Sequence, residues 1–175
     1  MTDLRERLRD FMRHHTTMSL ATVSAIGRPQ SAAVFYAADD DFNLYFLSSP
    51  NSRHCVNLKQ TPYAAATIHA DGQAWQEIRG LQIEGTVDWV TGMGPTTRAA
   101  KVYVARFDFL KGLLDAAGEV SRDQGPDEVI TLSGALSGSR FLVLRPTWIR
   151  LIDNTLGFGH KEEIRVDGLR TTDLD

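Results

Sequence analysis

Two hydrophobic periods alternate along the chain. Leu4, Leu8, Phe11 and Met12 recur at helical spacing with Arg5, Glu6, Arg9 and Arg13 between them, which predicts an amphipathic helix over 3–15. His14 and His15 close it as cations near a helix C-terminus, where the dipole favours them. Adjacent helical side chains point about 100° apart, which suits a shared metal poorly. From Thr17 the period changes to two. Met18–Val23 alternates, Ala25–Pro29 reads as a turn, and Gln30–Ala37 reads as a second strand rich in alanine and serine. Asp39–Asp41 lacks the ligand series of a calcium loop and reads as a hairpin tip before a third strand, Phe42–Leu47. Small polar residues at 48–51 then open a short helix over Ser52–Gln60, stopped by Thr61-Pro62. Tyr63–His69 is a fourth strand, with His69 on its polar side. Ile78–Val90 is a long fifth strand interrupted by Gly80 and Gly85. Glycine inside a strand marks a bulge, a barrel corner or a close approach.

The second half is less regular. Ala99, Val102, Tyr103, Phe107, Leu110 and Leu113-Leu114 give a helical apolar face over Pro95 to about Ala117. Glu119–Pro126 is polar and reads as an exposed loop, and Glu128–Leu136 fits a strand or a helix. Phe141–Leu144 is a strand, Pro146 breaks or bulges it, and Trp148–Ile152 resumes it. The end, Lys161–Asp175, is polar and expected to be partly mobile. Five strands with short connections in the first half predict a mainly β fold with flanking helices. Its sheet is a closed or half-closed antiparallel barrel rather than a parallel βαβ array. The expectation is a single domain over 1–175, with a helical and loop insertion at 92–139 and a polar tail at 162–175.

Composition narrows the function classes. A hydrophobic content of 42%, a charged content of 23% and a net charge of −3 suit a soluble globular protein. Without a basic run they argue against nucleic-acid binding. The single cysteine, Cys55, permits no intrachain disulfide and no multi-thiolate zinc site, and reads as a small buried hydrophobe. No apolar run reaches 18 residues, and Met1–His15 lacks a signal-peptide core, so a reducing cytoplasm is expected.

Familiar catalytic motifs are absent. Gly92-Met93-Gly94 lacks a third glycine and a βαβ setting, and Ser133–Ser139 fits no nucleophile elbow. The stretch that stands out is the corner at residues 48–54. There Ser48, Ser52, Arg53 and His54 gather hydroxyls, cations and free backbone N–H groups at a helix start, a pattern suited to an anion. The alanines of the second and fourth strands leave room for a flat ring. With few acid–base or nucleophilic side chains in view, a carried cofactor would have to supply the chemistry.

These features converge on a resemblance. Gly27-Arg28-Pro29, the strand to Val34, the acidic turn, Phe46, Ser48 and Ser52-Arg53-His54 resemble the pyridoxamine 5′-phosphate oxidase-like superfamily of FMN-binding split barrels. Ile78–Gly85 is similar to that superfamily's long strand. The run Asp153-Asn154-Thr155-Leu156-Gly157-Phe158-Gly159-His160-Lys161 resembles the closing motif of a small, functionally uncharacterised bacterial subfamily. The resemblance implies an antiparallel split β-barrel of Greek-key type, forming a homodimer with FMN at the subunit interface. It implies a flavin-dependent oxidoreductase acting on a small molecule, with NAD(P)H as a candidate electron donor.

Residue by residue, the resemblance implies that Ser52 and Arg53 bind the flavin phosphate, with His54 standing where the family has lysine. Ser48 matches the hydroxyl beside the ribityl–phosphate arm, and Ala33, Val34 and Phe35 match the strand along the isoalloxazine edge. Gln82 matches a polar contact from the partner subunit, and Asn154 lines the rim. No catalytic residue and no metal ligand is implied. Two departures stand out: Ala32 and Ala37 occupy positions where the true oxidases carry basic residues. Their absence is expected to weaken FMN binding unless other groups compensate. Because the family's C-terminal arginines that grip the pyridoxal substrate are not located either, vitamin B6 oxidation is not expected. Two alternatives remain open: a deazaflavin or haem on the same fold, with His54, His69 or His160 as contacts, and a non-catalytic flavin-binding or redox-sensing dimer.

Overall fold

The N-terminal stripe forms α1 (Leu4–His14), which buries Leu8, Phe11 and Met12 in the main core. His14 and His15 close it through ring nitrogens 2.7 and 2.8 Å from the Asp10 and Phe11 carbonyls, so both serve the helix end. These features come from a computed structural model that describes residues 3–107 and 138–166.

The strands are β1 (Thr17–Val23), β2 (Pro29–Phe35), β3 (Ala37–Ala38), β4 (Leu44–Ser48), β5 (Tyr63–His69), β6 (Arg79–Trp89), β7 (Arg140–Asp153) and β8 (Lys161–Arg165). All pairings are antiparallel, in the order β2-β1-β5-β6-β7-β4-β3, with β8 added to the last part of β7. This order places β2 and β3 on opposite edges of the sheet, yet only Tyr36 separates them in the chain. Two extended residues span about 7 Å. The sheet must therefore curl until its edges nearly meet. β2 touches β4 without pairing to it, which leaves the barrel split.

Tyr36 is fully buried at that crossing. Its hydroxyl donates to the Met12 carbonyl at 3.0 Å, and its backbone N–H donates to the Thr16 carbonyl at 3.0 Å. Both bonds tie the closing corner to the end of α1. Burial also pushes the Tyr36 hydroxyl well above its ordinary pKa. The expected strand Gln30–Ala37 is thus two strands on two edges.

The third expected strand starts later than its pattern suggests, at Leu44 rather than Phe42. Phe42 lies at φ 67°, in the left-handed region that costs a bulky residue roughly 1–2 kcal/mol. Burial of its ring offsets that cost, with the Arg5 and Arg9 guanidinium groups 5.8 and 5.1 Å from its centroid. Asp39 holds the same hairpin tip, its Oδ1 accepting from the Asp41 and Asn43 N–H groups.

α3 (Met93–Arg106) begins slightly before the expected Pro95 and lays Ala99 and Tyr103, with Phe107 beyond its end, over Ala37, Tyr45 and Val143. Leu110, Leu113-Leu114, the rest of that helix to Ala117, and the calls on 119–126 and 128–136 lie outside the described residues. So does the tail from 167. Its first part corrects the expectation of a polar tail, because Lys161–Arg165 forms β8 against β7. Ile164 packs on the core, and Glu163 pairs with Arg150 across the strands.

Gly85 confirms the reading of a bulge. The β6–β7 register shifts between Glu84 and Gly85, opposite Pro146, and a Cβ at Gly85 would meet the Arg145 carbonyl carbon at 2.8 Å. Gly85→Ala should destabilise the fold by about 1–3 kcal/mol in urea unfolding. Tyr36→Phe, which removes one buried hydrogen bond, should cost about 0.5–1.5 kcal/mol in the same assay.

Candidate functional site

The corner at 48–54 is built by three local decisions. β4 ends at Ser48, whose backbone is in register with Arg140 of β7. The Ser52 N–H then bonds back to the Ser49 carbonyl at 3.0 Å, and Ser52 adopts extended backbone as the N-cap of α2 (Arg53–Leu58). Its hydroxyl accepts from the Cys55 N–H. α2 buries Cys55 and Leu58, and Asn57 donates to the Thr22 hydroxyl of β1 at 3.0 Å. That anchorage turns His54 inward and leaves Arg53 in solvent.

His54 is only 8% exposed. Its Nε2 lies 2.7 Å from the Ser48 hydroxyl and 3.1 Å from that of Ser52, and the two hydroxyls are 3.1 Å apart. Burial holds the imidazole below its usual pKa. His54 is therefore a largely neutral ring bound to two hydroxyls, rather than a free cation in the place of a lysine. α2 also has only six residues, so side chains carry more of any anion binding here than helix-end amides do. Arg53 has no ion-pair partner among the described residues. With Arg28, Val56, Asn57 and Gln60 it lines a hollow of about 290 Å³. Arg28 stood in the sequence as a turn residue and as the middle of the Gly-x-Pro run, with no binding role; its place beside Arg53 depends on how the β1–β2 turn meets α2.

β2, which both α2 and β4 contact, presents an open sheet face. Alternation along β2 exposes Ser31, Ala33 and Phe35, while Val34 turns inward against the core. Ala33 stands opposite Ser19, Ser19 opposite Thr67, and Thr67 opposite Gln82. The face is therefore low and wide, with Phe35 57% exposed at its rim. Gln82 lies three strands from Ala33, about 14 Å at ordinary strand spacing. One ring lying on Ala33 would not reach the same chain's Gln82.

The remaining expected rim residue has another task. The Asn154 side chain donates to the Trp75 carbonyl at 2.7 Å and accepts from the Gly159 N–H at 3.0 Å, while its own N–H donates to the Ile78 carbonyl at 2.9 Å. Its amide clasps two loops together, with one N–H and one lone pair of the side chain engaged in doing so. Beside it, buried Asp153 receives the Thr155 hydroxyl and lies near Arg79 and Arg7. His160 lies 3.1 Å from Glu162, whose carboxyl is held below its usual range by Arg7 and then by His160. His69 is exposed, as expected, with Nδ1 on the Ala70 carbonyl.

A larger cleft of about 690 Å³, between α1, the β3–β4 turn and the bulge, shares no residue with the corner. Its Arg145 is paired to Asp88, and the Arg9 guanidinium bonds the Asp40 carbonyl. Among the described residues no three histidine, cysteine or carboxylate groups cluster as a metal site, and no helix is long and apolar enough to cross a membrane.

The buried imidazole has a measurable consequence. Its folded pKa lies below the unfolded value of 6.5, so the unfolded chain binds more protons just below that pH. The contribution is complete above about pH 6.5 and is lost as pH falls through the folded value. Urea midpoints should therefore rise with pH over that window, and His54→Gln should remove that part of the slope.

Comparison with known proteins places this architecture. A UPF0306 protein of Klebsiella pneumoniae is 28% identical over 137 residues, covering 78% of this chain and 76% of that protein. A pyridoxine/pyridoxamine 5′-phosphate oxidase of Chromobacterium violaceum is 28% identical over 132 residues, covering 75% of this chain but 57% of the oxidase. In fold, a haem-binding protein of Mycobacterium smegmatis superposes with a TM-score of 0.69 at 16% identity, covering 95% of this chain and 60% of that one. The pyridoxamine 5′-phosphate oxidase family model matches residues 4–152, and with its split antiparallel half-barrel the chain belongs to that family.

Proposed function

We propose that this protein is an FMN-binding homodimer that acts as an oxidoreductase on a small molecule. The observation that carries this reading is a single arrangement. Arg53, exposed and with no ion-pair partner among the described residues, begins the short helix that Ser52 caps, Ser48 and Ser52 are clustered hydroxyls, and β2, which α2 and β4 both contact, carries small residues on its open face. The donor set fits a phosphate monoester, and the face fits a flat ring. Ser48, Ser52 and Arg53 would hold the phosphate, and Arg28, which lines a hollow with Arg53, would add a second positive charge. Ala33 and Phe35, with the backbone at Val34, would lie along the ring. Gln82 would contribute from a second copy, consistent with its distance from Ala33 within one chain. The apolar rim of the same face, Val23, Phe35 and Tyr63, is suited to burial in that dimer.

When bound, the flavin supplies hydride or electron transfer, and the protein's part is to orient it, exclude water and adjust its hydrogen bonds. A reduced nicotinamide is the electron donor this reading favours. The substrate differs from that of the true oxidases. Ala37, where the true oxidases carry a basic residue, is buried under Tyr103 and Phe107, so that position offers no cation here.

A second reading, haem on the same face, rests on His69. Of the three candidate histidines, His54 is enclosed by hydroxyls and His160 faces a carboxylate. His69 alone is exposed on the open side of β5, with Nε2 unpaired among the described residues.

The visible spectrum of the purified protein separates the readings: two flavin bands for the first, a Soret band lost in His69→Ala for the second. Arg53→Ala should weaken FMN binding about 10- to 100-fold, the worth of one hydrogen bond to a charged group, while the dimer persists in sedimentation. Unchanged FMN affinity in that variant would refute the phosphate assignment.

A further inference from the structure

Resting on the FMN reading, we propose that His54 sets the hydrogen-bond polarity of the Ser48–Ser52 pair, and so decides whether the corner accepts a phosphate. Three atoms, the Ser48 and Ser52 hydroxyl oxygens and His54 Nε2, lie within 2.7–3.1 Å of one another. Two hydroxyl hydrogens and the Nε2 position must be shared among these contacts. When Nε2 is bare, it takes one hydroxyl hydrogen, and the other is drawn into the Ser48–Ser52 contact. The cluster then shows only lone pairs outward, which repel an anion. When Nε2 carries hydrogen, it donates to Ser48 at the shorter distance, and Ser48 donates to Ser52. The Ser52 O–H is then free to point at a ligand oxygen. The Cys55 N–H already occupies a lone pair of Ser52, which favours that outward donation.

Among the described residues, the surroundings leave this choice to the imidazole. β1 and β2, against which α2 packs, carry no titratable side chain. β4 brings Tyr45, α2 brings Arg53 and Cys55 with Lys59 as its C-cap, β7 brings Arg140 beside Ser48, and the β1–β2 turn brings Arg28. None of these is a carboxylate that would hold a proton on Nε2 in the absence of ligand. Desolvation alone accounts for the low pKa of the ring. An incoming phosphate supplies the missing negative charge, so its binding draws hydrogen to Nε2 by proton uptake or by a change of tautomer. His54 is thus a positioning residue, acting on the ligand through two serines. A lysine in its place donates permanently and has no second state.

The test is nitrogen NMR of the full-length protein labelled at histidine, free and saturated with FMN, at neutral pH. The expected result is that His54 Nε2 moves from the bare-acceptor range to the protonated range on saturation. Nε2 still bare in the saturated complex, or protonated already in the free protein, would overturn the proposal while leaving the FMN reading intact. FMN that does not bind at all would overturn both. A variant pair supplies an independent measurement. His54→Gln keeps a fixed donor and should bind FMN within about threefold of the wild type, whereas His54→Leu should lose about 10- to 100-fold. Riboflavin, which lacks the phosphate, should bind both variants alike. Equal losses for FMN and riboflavin in His54→Leu would point to a general packing defect and would also overturn the proposal.

Discussion

One residue of chain between two sheet edges governs this molecule. β2 ends at Phe35 and β3 begins at Ala37, on opposite edges of the same antiparallel sheet. Tyr36 can bridge them only if the sheet bends through most of a cylinder. The bend creates an inner volume that must be filled, and α1 meets that need by adding Leu8 and Met12 to the core. The bend also brings β4, which ends at Ser48, into contact with β2. Core, corner and face are therefore consequences of one crossing, and the bond from Tyr36 to Met12 fixes the crossing to the helix.

Much of this was legible in the pattern of apolar residues. The helical stripe at Leu8, Phe11 and Met12, the alternation in β1 and β5, and the bulge at Gly85 opposite Pro146 all appear where sequence spacing puts them. Period alone could not show that Gln30–Ala37 changes edges, because Val34, Phe35, Tyr36 and Ala37 are all apolar and give no break at which to divide the run. Nor could it show β8, whose Lys-Glu-Glu-Ile-Arg run looks like surface until its pairing with β7 and the Arg150–Glu163 contact are seen. Phe42 misled in the opposite sense: its aromatic character suits a strand, but its backbone is left-handed.

The candidate site shows the same division. Residue types at 48–54 identify a polar corner, but they do not say which members face solvent. α2 is anchored through Asn57 to Thr22, and this anchorage turns two adjacent cation candidates into different things. Arg53 stays a charge. His54 becomes a buried partner of hydroxyls. Arg28 joins from a turn that the sequence marks only by Gly27 and Pro29. Side-chain direction, which depends on tertiary anchorage, was the missing information throughout.

The Asn154 clasp has a different consequence, one that concerns chain length. A single amide fixes the β5–β6 connection through the Trp75 carbonyl and the β7–β8 connection through the Gly159 N–H. The exposed rings of Trp75 and Phe158 meet edge to face, 5.8 Å apart, because the two connections are held in one frame. An insertion or deletion in either loop would break the match in both. These two distant segments are thus bound to a common length, and the chain can reshape that rim only by altering them together.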